Sequence, residues 1–455
     1  MTGKTAVQAE ILSPTRRILL GSLFIMLVVL LLICAAGIPF VFESQSLRYK
    51  LGIDKTLLRT GKVLGILAAV LLLLQLVLSA RLKVLDNIYG LNRLYIVHRI
   101  SAVTVAVLAV LHPFFVFAPE DITSLPPELK FWPEILGAAL LLTIWTITST
   151  ALFRRFLDLP FNLWWLAHRA ATFIAVVFLF VHVLFVSDTF EQGLPRSIVL
   201  GAAGCWTVIF GWVKLKPFLH KRKPYTVSEV EKAARNTYSV TLEPQHGSVL
   251  SYLPGQFVFV SFKAENLPAE EHPFTLSSSP TRPQSLQFSI HCSGDWTRKI
   301  GLLNAGETAV LAGPYGLFSH LVRAGRREIV MIAGGIGITP MLSMLRYMAD
   351  TGDTRRITLI WSNRTREDKV YGQEFRGLEE RLPGLRLIDV FTREDGQEEA
   401  SGRLDRGMLA RLLADCDRRA VAFICGPPRM MKEIKSIMVR LGFKRGFIHL
   451  EEFAL

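Results

Sequence analysis

The feature that most restricts the fold is a series of six apolar runs in the first half of the chain. They cover residues 18–42, 63–78, 95–117, 134–152, 165–186 and 198–213. Each is long enough to cross a hydrocarbon layer about 30 Å thick. The first run exceeds a signal-peptide core and lacks a small-residue cleavage pattern, so it predicts an uncleaved span. After about Lys214 the sequence is that of a soluble protein, and we expect a six-helix transmembrane bundle followed by soluble domains.

Two of the predicted spans are almost copies of each other. Each carries two histidines fourteen residues apart and an arginine directly after the first: His98, Arg99 and His112 in the third run, His168, Arg169 and His182 in the fifth. At about 100° and 1.5 Å per residue, fourteen steps return to within about 40° of one face with a rise of about 21 Å. Two such helices side by side offer two histidine pairs at two depths, which is a ligand set for two bis-imidazole haems.

Other roles for these side chains are possible. A single histidine in a membrane helix can be a buried polar group bonded to a carbonyl, and ionisable residues there also serve proton relays and ion paths. Four histidines in two equal spacings favour haem ligation. Arg99 and Arg169 are candidate partners of the haem propionates, although arginines at helix ends also snorkel or set topology.

The distribution of charge predicts the orientation of the spans. The net charge of +14 lies largely in Lys/Arg clusters beside the apolar runs, so it indicates membrane orientation and lipid contact and not nucleic-acid binding. Segments 81–93, 154–155 and 214–223 are basic, whereas the third-to-fourth and fifth-to-sixth loops are acidic. The positive-inside rule then places residues 1–17 and the C-terminal half in the cytoplasm. One loop disagrees: Arg48, Lys50, Lys55 and Arg59 fall on the predicted outer side.

Residues 223–325 predict an antiparallel β-barrel, because short alternating runs at 238–242, 256–262 and 286–291 are separated by Pro/Gly turns. One strand carries an aromatic ring and hydroxyls suited to stacking on a planar ring and binding its edge: His272, Pro273, Phe274, Thr275, Ser277 and Ser278. A glycine turn with Gly294, Trp296 and Thr297 opens a predicted helix at 299–304, and such turns suit a pyrophosphate. Each motif alone also occurs as ordinary turn chemistry.

Residues 326–455 alternate strand and helix, which predicts a doubly wound α/β domain. A strand at 329–332 leads into a glycine loop before the helix at 341–350: Gly334, Gly335, Gly337, Ile338, Thr339 and Pro340. A strand at 357–361 is followed by Ser362, Arg364 and Arg366, where arginines could meet a 2′-phosphate or simply be solvated. A strand at 420–424 leads into Cys425, Gly426 and Pro427. The carboxyl edge of the sheet would place Cys425 near a nicotinamide, although Cys425 could also be a small core residue.

Taken together, the histidine pairs and the segments that begin at His272, Gly294, Gly334 and Cys425 resemble the NADPH oxidase and ferric reductase superfamily. The resemblance implies a ferric-reductase-like haem domain over residues 18–215, an FAD-binding domain of the ferredoxin-reductase type over 223–325 and an NAD(P)H-binding domain over 326–455. It implies that the segments around His272 and Gly294 hold FAD, and that the glycine loop and Cys425 turn hold NADPH, with NADH possible. A C-terminal aromatic shields the flavin in this family; Phe453, third from the end, is the candidate. No EF-hand loop is present, as in bacterial-type members.

The expected function is electron transfer across the cell (inner) membrane. Cytosolic NADPH would reduce FAD, and two b haems would carry single electrons past His98/His168 to His112/His182 and an outer acceptor. The preferred acceptor is O₂, giving superoxide; the alternatives are a ferric or other metal chelate, attracted by the basic outer loop, or a partner protein that the enzyme feeds. The sequence itself requires no partner protein, and no side chain needs to act as a catalytic acid or base.

Overall fold

The structure is a computed structural model and describes residues 12–43, 52–118, 131–154, 156–219, 223–245, 249–393 and 401–452. The contacts between residues divide the chain into two compact units. The first comprises Pro14–Tyr89 and Arg93–His220, and the second consists mainly of Lys221–Leu455. Among the described residues, the long apolar helices belong to the first unit and the strands belong to the second.

The first unit is a bundle of helices. They are α1 (Pro14–Val41), α2 (Gly52–Ser79), the short α3 (Lys83–Tyr89), α4 (Leu91–Phe117), α5 (Trp132–Phe153), α6 (Phe161–Val186) and α7 (Gly193–Leu219). All except α3 are long and apolar enough to cross a membrane. Large apolar side chains such as Ile18 and Val208 are 68% and 72% exposed, as expected where lipid surrounds a helix. The prediction of six membrane-spanning helices is confirmed, and the protein is a multi-pass membrane protein.

Helix α2 begins eleven residues before the apolar run at 63–78 that predicted it. Three basic side chains interrupt the hydropathy there, but they are paired. Lys55 and Arg59 contact the Glu43 carboxylate at 3.1 and 2.6 Å, and Lys62 contacts Asp188 at 3.2 Å. Because each of these basic groups has a carboxylate partner from another part of the unit, the helix continues through them. The same pairs account for the Lys55 and Arg59 part of the basic loop; Arg48 and Lys50 lie outside the described residues.

An apolar layer fills the centre of the bundle. Its buried residues come from α4, α5 and α6: Val105, Ala106, Leu140, Ile144, Ala175 and Leu179. Val105 lies midway between His98 and His112, and Ala175 lies midway between His168 and His182. The two levels of histidines are therefore separated by close-packed hydrocarbon side chains, which exclude water from the space between them.

The N-terminal half of the second unit is an antiparallel six-stranded sheet. Its strands are β1 (Lys223–Ala234), β2 (Thr237–Pro244), β3 (Phe257–Lys263), β4 (His272–Thr275), β5 (Leu286–His291) and β6 (Thr308–Tyr315), in the order β4-β3-β6-β1-β2-β5. A single bridge between Leu276 and Phe288 links the two edges of the sheet. The interior is apolar and includes the fully buried Tyr225, Phe262 and Phe288. The predicted antiparallel domain is confirmed.

The helix predicted at 299–304 is wrong in its position. The structure has a helix of four residues, α8 (Asp295–Arg298), followed by a 3₁₀ turn over Ile300–Leu302. Gly301 in this turn packs against Tyr238, whose Cζ would lie 2.6 Å from a Cβ at that position. The chain is instead turned so that Trp296 and Ile300 enter the barrel core.

The C-terminal half is a five-stranded parallel sheet in the order β11-β10-β7-β8-β9. After the short α9 (His320–Arg323), the elements are β7 (Ile329–Gly334), α10 (Thr339–Thr351), β8 (Ile357–Asn363), α11 (Gly372–Arg381), β9 (Leu385–Phe391), α12 (Arg406–Leu412), β10 (Val421–Cys425), α13 (Pro428–Arg440) and β11 (Ile448–Glu451). Two separate apolar clusters cover the two faces of the sheet. The predicted α/β doubly wound domain is confirmed.

Candidate functional site

His112 and His182 face each other from α4 and α6. Their ring centroids are 6.4 Å apart and their planes are inclined at 82°. Nδ1 of His112 lies 2.8 Å from the Gly61 carbonyl oxygen of α2, and Nδ1 of His182 lies 2.8 Å from the Pro133 carbonyl oxygen of α5. Because a carbonyl only accepts, Nδ1 carries the proton in both rings. The pair therefore offers two Nε2 lone pairs as metal ligands.

His98 and His168 form the corresponding pair at the other level of the bundle. The two rings are close enough to interact electrostatically, and the Gln75 backbone lies near His98. Nδ1 of each ring is buried, and among the described residues neither has a hydrogen-bond partner of ordinary geometry. The Trp164 ring, one turn before His168, packs against it with centroids 5.2 Å apart. Buried imidazoles without polar partners are costly, so this pair also calls for a ligand.

The two pairs fit haem better than they fit a bare metal ion. Two metal–nitrogen bonds of about 2 Å and two ring radii of about 1 Å span about 6 Å, close to the gap between His112 and His182. A bis-imidazole haem takes only two ligands from the protein, since the porphyrin supplies the others. Among the described residues, no group of three or more His, Cys, Asp or Glu side chains could hold a bare ion. The donor set therefore suits an iron porphyrin between each pair.

The two arginines that follow the first histidines lie on the exposed surface of the bundle. The Arg169 guanidinium stacks over the Trp165 ring at 4.1 Å from its centroid. Arg99 follows His98 directly on α4 and is exposed. Their role as propionate partners stays a prediction.

In the barrel, the two segments predicted to hold FAD lie together. The His272 ring on β4 packs against Trp296 of α8 with centroids 4.2 Å apart, and Phe274 stacks on the same indole at 5.9 Å. Trp296 is buried and donates its Nε1–H to the Pro268 carbonyl at 2.9 Å. Pro273 pairs with Phe259 of β3, and Thr275 pairs with Phe257. The turn and the strand therefore form one edge of the barrel.

The hydroxyls predicted to contact FAD are engaged inside the protein. Thr297 Oγ1 accepts the backbone N–H groups of Ser293 and Gly294 at 3.0 and 2.9 Å, which caps α8. Ser277 donates to the Gln287 carbonyl at 2.9 Å, and Ser278 Oγ lies 2.8 Å from the Tyr252 hydroxyl. Burial raises the pKa of Tyr252, so its phenol stays protonated. FAD contacts from these three side chains stay predictions, as does the contact from Phe453, which lies outside the described residues.

A second set of polar contacts ties the barrel to the parallel sheet, and the sequence motifs give no sign of it. Arg346 on α10 forms a bidentate pair with Glu374 of α11 at 2.6 and 2.7 Å. The same guanidinium donates to the Ser277 carbonyl at 2.9 Å and to Gln287 Oε1 at 2.6 Å. Ser343 donates to the Ser278 carbonyl at 2.7 Å. The carbonyls of the segment predicted to bind FAD are thus fixed by α10.

The glycine loop and the Cys425 turn meet at the carboxyl edge of the parallel sheet. A Cβ at Gly337 would lie 2.3 Å from the Cys425 carbonyl oxygen, and one at Gly334 would lie 2.9 Å from Pro427 Cδ. Gly426 packs on the Gly334 backbone, since a Cβ there would lie 3.1 Å from the Gly334 Cα. Only glycine allows these backbones to touch. The two motifs are one structure, built where nucleotides bind in open α/β sheets.

The rest of the loop leaves its outer side open. Gly335 has φ +53° and a Cβ built on it would meet nothing within 4 Å. Its carbonyl accepts the Trp361 indole N–H at 3.0 Å, which fixes the turn. Ile338, Thr339 and Pro340 are buried at the start of α10. The first turn of a 13-residue helix therefore follows the loop at the edge where a pyrophosphate would lie.

The predicted nucleotide residues of the next strand lie beside this loop. Ser362 of β8 pairs with Gly334 of β7, and Arg364 is exposed just after the strand. The Arg366 guanidinium lies 5.3 Å from the centroid of the Phe391 ring. Asp368, in the same turn, accepts a hydrogen bond from the Thr365 hydroxyl at 3.2 Å. Both basic and acidic groups therefore stand where the adenosine ribose of a bound nucleotide is expected.

Cys425 ends β10 opposite Glu451, the last residue of β11. Burial and then the Glu451 carboxylate raise the pKa of the Cys425 thiol well above its usual range. The thiol is therefore protonated and unreactive at neutral pH. Cys425 is fully buried at this edge, and its contact with NADPH stays a prediction.

Three family models match successive parts of the chain. A ferric reductase like transmembrane component matches residues 64–183, an FAD-binding domain matches residues 220–317, and an oxidoreductase NAD-binding domain matches residues 331–436. The first match contains all four histidines, the second contains the segments around His272 and Gly294, and the third contains the glycine loop and the Cys425 turn.

Two of the individual proteins similar to this chain are reductases by name. It is 30% identical over 211 residues to the glycine betaine monooxygenase reductase subunit of Chromohalobacter salexigens, covering 44% of this chain and 56% of that protein. It is 26% identical over 231 residues to NADH-cytochrome b5 reductase 1 of Candida glabrata, covering 49% and 80%. The chain thus spans little more than half the length of the first of these curated relatives.

A flavohemoglobin structure from Malassezia yamatoensis has a similar fold. It has 17% sequence identity, a TM-score of 0.50, and covers 88% of this chain and 98% of its own. The likeness concerns the fold alone. The order of the three matching models along one chain is that of the NADPH oxidase and ferric reductase architecture. The protein is therefore a membrane-bound oxidoreductase of the ferric reductase type, dependent on FAD and NAD(P)H.

Proposed function

We propose that the protein carries electrons from cytosolic NADPH through FAD and two b haems to O₂ on the outer side of the cell membrane, where superoxide forms. The observation that carries this proposal is the facing pair His112/His182. Their ring centroids are 6.4 Å apart, and both Nδ1–H groups donate hydrogen bonds to backbone carbonyls. When bound, FAD accepts a hydride and releases electrons singly, and the haem irons relay them. The orientation rests on the positive-inside distribution of basic residues and places both termini in the cytoplasm.

The side chains of the protein have binding and insulating roles in this proposal. His98 and His168 hold the inner haem, and His112 and His182 hold the outer one. The apolar layer around Val105 keeps water and ions out of the space between the two levels. At the edge of the parallel sheet, the loop around Gly335 leaves room for a pyrophosphate. No residue is required to transfer a proton.

The charge balance near the outer ends of α1 and α2 favours a small neutral acceptor. The basic side chains described there, Lys55, Arg59 and Lys62, are paired with the carboxylates of Glu43 and Asp188. The two carboxylates offset two of these three positive charges, which weakens the field that would attract an anionic ferric chelate. O₂ is uncharged and does not require a charged entrance to its site, so we place it ahead of a chelate as the acceptor.

Two further candidates are kept because specific observations favour them. A ferric chelate is the second acceptor, since the matching membrane family is the ferric reductase like component. A partner protein is the third, since the glycine betaine relative is by name a reductase subunit. NADH is the second candidate donor, because Asp368 stands in the same turn as Arg364 and Arg366.

The acceptor is tested with purified protein in detergent supplied with NADPH. Superoxide is followed by the part of cytochrome c reduction that superoxide dismutase suppresses, and ferrous iron is followed separately with a chelating dye. Rapid superoxide formation supports the proposal, whereas rapid ferric reduction without superoxide identifies a chelate reductase. Slow NADPH loss with both acceptors supports the partner protein. The same assays with NADH decide the donor.

The haem ligands are tested by optical spectra and haem quantitation. We expect two low-spin b haems per chain in the wild type, and the loss of one in His112→Leu or His182→Leu. Reduction of FAD by NADPH is unchanged in both variants because the flavin and nucleotide sites belong to the other unit. Retention of two haems in either variant contradicts the assigned pairing, and a wild type without haem contradicts the electron path itself.

A further inference from the structure

The outer histidine pair rests on two matching supports. On α2 the carbonyl that accepts from His112 belongs to Gly61, and Gly65 follows four residues later. On α5 the carbonyl that accepts from His182 belongs to Pro133, and Gly137 follows four residues later. We use the term carbonyl shelf for an accepting carbonyl together with the glycine that follows it one helical turn later. Neither α2 nor α5 carries a haem ligand, so the shelves are supplied by the neighbouring helices.

The glycines are needed for the rings to reach the carbonyls. A Cβ at Gly65 would lie 2.8 Å from His112 Nδ1 and 2.9 Å from its Cε1. A Cβ at Gly137 would lie 2.5 Å from His182 Cε1 and 2.9 Å from its Nδ1. Both contacts are much shorter than van der Waals distances and involve rings that have no room to shift while their Nδ1–H groups stay bonded. Each imidazole therefore lies directly on helix backbone.

The inner pair lacks the glycine of this shelf on both helices. Fourteen residues further along α2, the positions equivalent to Gly61 and Gly65 are Gln75 and Ser79. The Ser79 hydroxyl donates to the Gln75 carbonyl at 2.8 Å and so competes with His98 for the carbonyl that corresponds to Gly61 at the outer level. His98 Nδ1 interacts with the Gln75 backbone but does not form the well-aligned hydrogen bond that His112 makes to Gly61.

The same replacement occurs on α5. Fourteen residues after Pro133 and Gly137, the equivalent positions are Ile147 and Ala151. The Ile147 carbonyl accepts a hydrogen bond from the Thr150 hydroxyl at 3.2 Å, and position 151 carries a Cβ. Nδ1 of His168 is without a partner in the described part of the chain. The difference between the two levels is therefore present on both supporting helices.

From this asymmetry we propose that Gly65 and Gly137 are positioning residues that make the outer haem the one of lower midpoint potential. The inference rests on the proposed two-haem function. An Nδ1–H donated to a carbonyl raises electron density at Nε2 and makes the imidazole a stronger ligand. A stronger ligand stabilises ferric over ferrous iron and lowers the potential. The outer site then holds the more strongly reducing electron, next to the acceptor.

The test measures midpoint potentials by optical redox titration in variants that keep one haem. His168→Leu leaves the outer site and His182→Leu leaves the inner site, which assigns each potential. Gly65→Ala and Gly137→Ala are introduced into the first background, and Ser79→Gly into the second. Gly204→Ala is the matched control, because it adds a Cβ to a glycine of α7 that would meet nothing within 4 Å.

We expect the outer potential to lie below the inner one, and Gly65→Ala and Gly137→Ala to raise it. Ser79→Gly frees the Gln75 carbonyl and is expected to lower the inner potential, a change that a merely structural defect does not produce. Gly204→Ala changes neither. Unchanged outer potential and occupancy in both alanine variants overturn the proposal. If those variants lose the outer haem altogether, an unchanged inner potential in Ser79→Gly overturns it. A wild type without haem refutes the proposed function instead.

Discussion

At the scale of single residues, His320 shows what burial does to a titratable group in the second unit. It is 1% exposed, and neither ring nitrogen has a partner among the described residues. Burial first, and then the nearby Arg355, lower its pKa to about 3. The unfolded chain takes up this proton near pH 6.5 and the folded protein does so only near pH 3. Stability therefore falls as the pH drops through this window, by about 1.4 kcal/mol per pH unit.

We expect His320→Phe to remove this contribution. The melting temperature is measured by the release of FAD from the purified protein. The difference between the melting temperatures of the variant and the wild type should shift in favour of the variant as the pH is lowered from 7 to 5. His291→Phe is the control, because it replaces an exposed histidine of β5. A constant difference between His320→Phe and wild type across this range would show that the buried imidazole does not set the acid sensitivity.

The four histidines could be predicted from the sequence because their chemistry is rare in apolar helices and their spacing is periodic. The residues that support them could not. Gly61, Gly65 and Gly137 are ordinary small residues in apolar runs, and their role depends on which helix packs against α4 or α6. Arg346 is equally inconspicuous, since its partners lie on α11 and on the barrel strands. Local pattern identifies candidate ligands, whereas the groups that position them depend on tertiary packing.

At the scale of elements, helix α10 joins the two halves of the second unit. Its Arg346 side chain is 16% exposed and makes charge-assisted bonds to Glu374, to Gln287 and to the Ser277 carbonyl. Replacing it with Met leaves these acceptors without their donor. We expect Arg346→Met to cost about 2 kcal/mol, which lowers the melting temperature by about 4–8 °C in a domain of this size. Thermal release of FAD measures the change.

Arg235→Met is the matched control for that experiment. Arg235 pairs with Glu367 at 3.8 Å, but the two side chains are 67% and 75% exposed. Exposed pairs of this kind contribute little, so the control should melt with the wild type. Equal melting of all three proteins would mean that the Arg346 contacts do not fix α10 to the barrel.

The element boundaries show where hydropathy and propensity fail. The beginning of α2 was invisible in the apolar pattern because Lys55, Arg59 and Lys62 interrupt it, yet their carboxylate partners come from other segments. The short helix α8 was placed too late because its first turn contains Asp295 and Trp296, and the indole enters the barrel core. Strands at 257–263 and 357–363 were close to prediction, since each is rich in β-branched and aromatic residues.

At the scale of the whole molecule, the division into a membrane unit and a soluble unit determines how function can be separated. The second unit contains its own apolar clusters in the barrel and on both faces of the parallel sheet. The segments predicted to hold FAD and NADPH also belong to it. None of the six long apolar helices does. A core of this size is sufficient for independent folding.

We therefore expect a fragment comprising residues 221–455 to be soluble and to bind FAD without haem. It should reduce ferricyanide with NADPH at a rate close to that of the full chain, because this reaction needs only the flavin and the nucleotide site. Absorption spectra establish the flavin content and the absence of a Soret band, and the full-length protein in detergent is the control. A fragment that is folded but free of flavin would show that residues 221–455 alone are not sufficient to bind FAD.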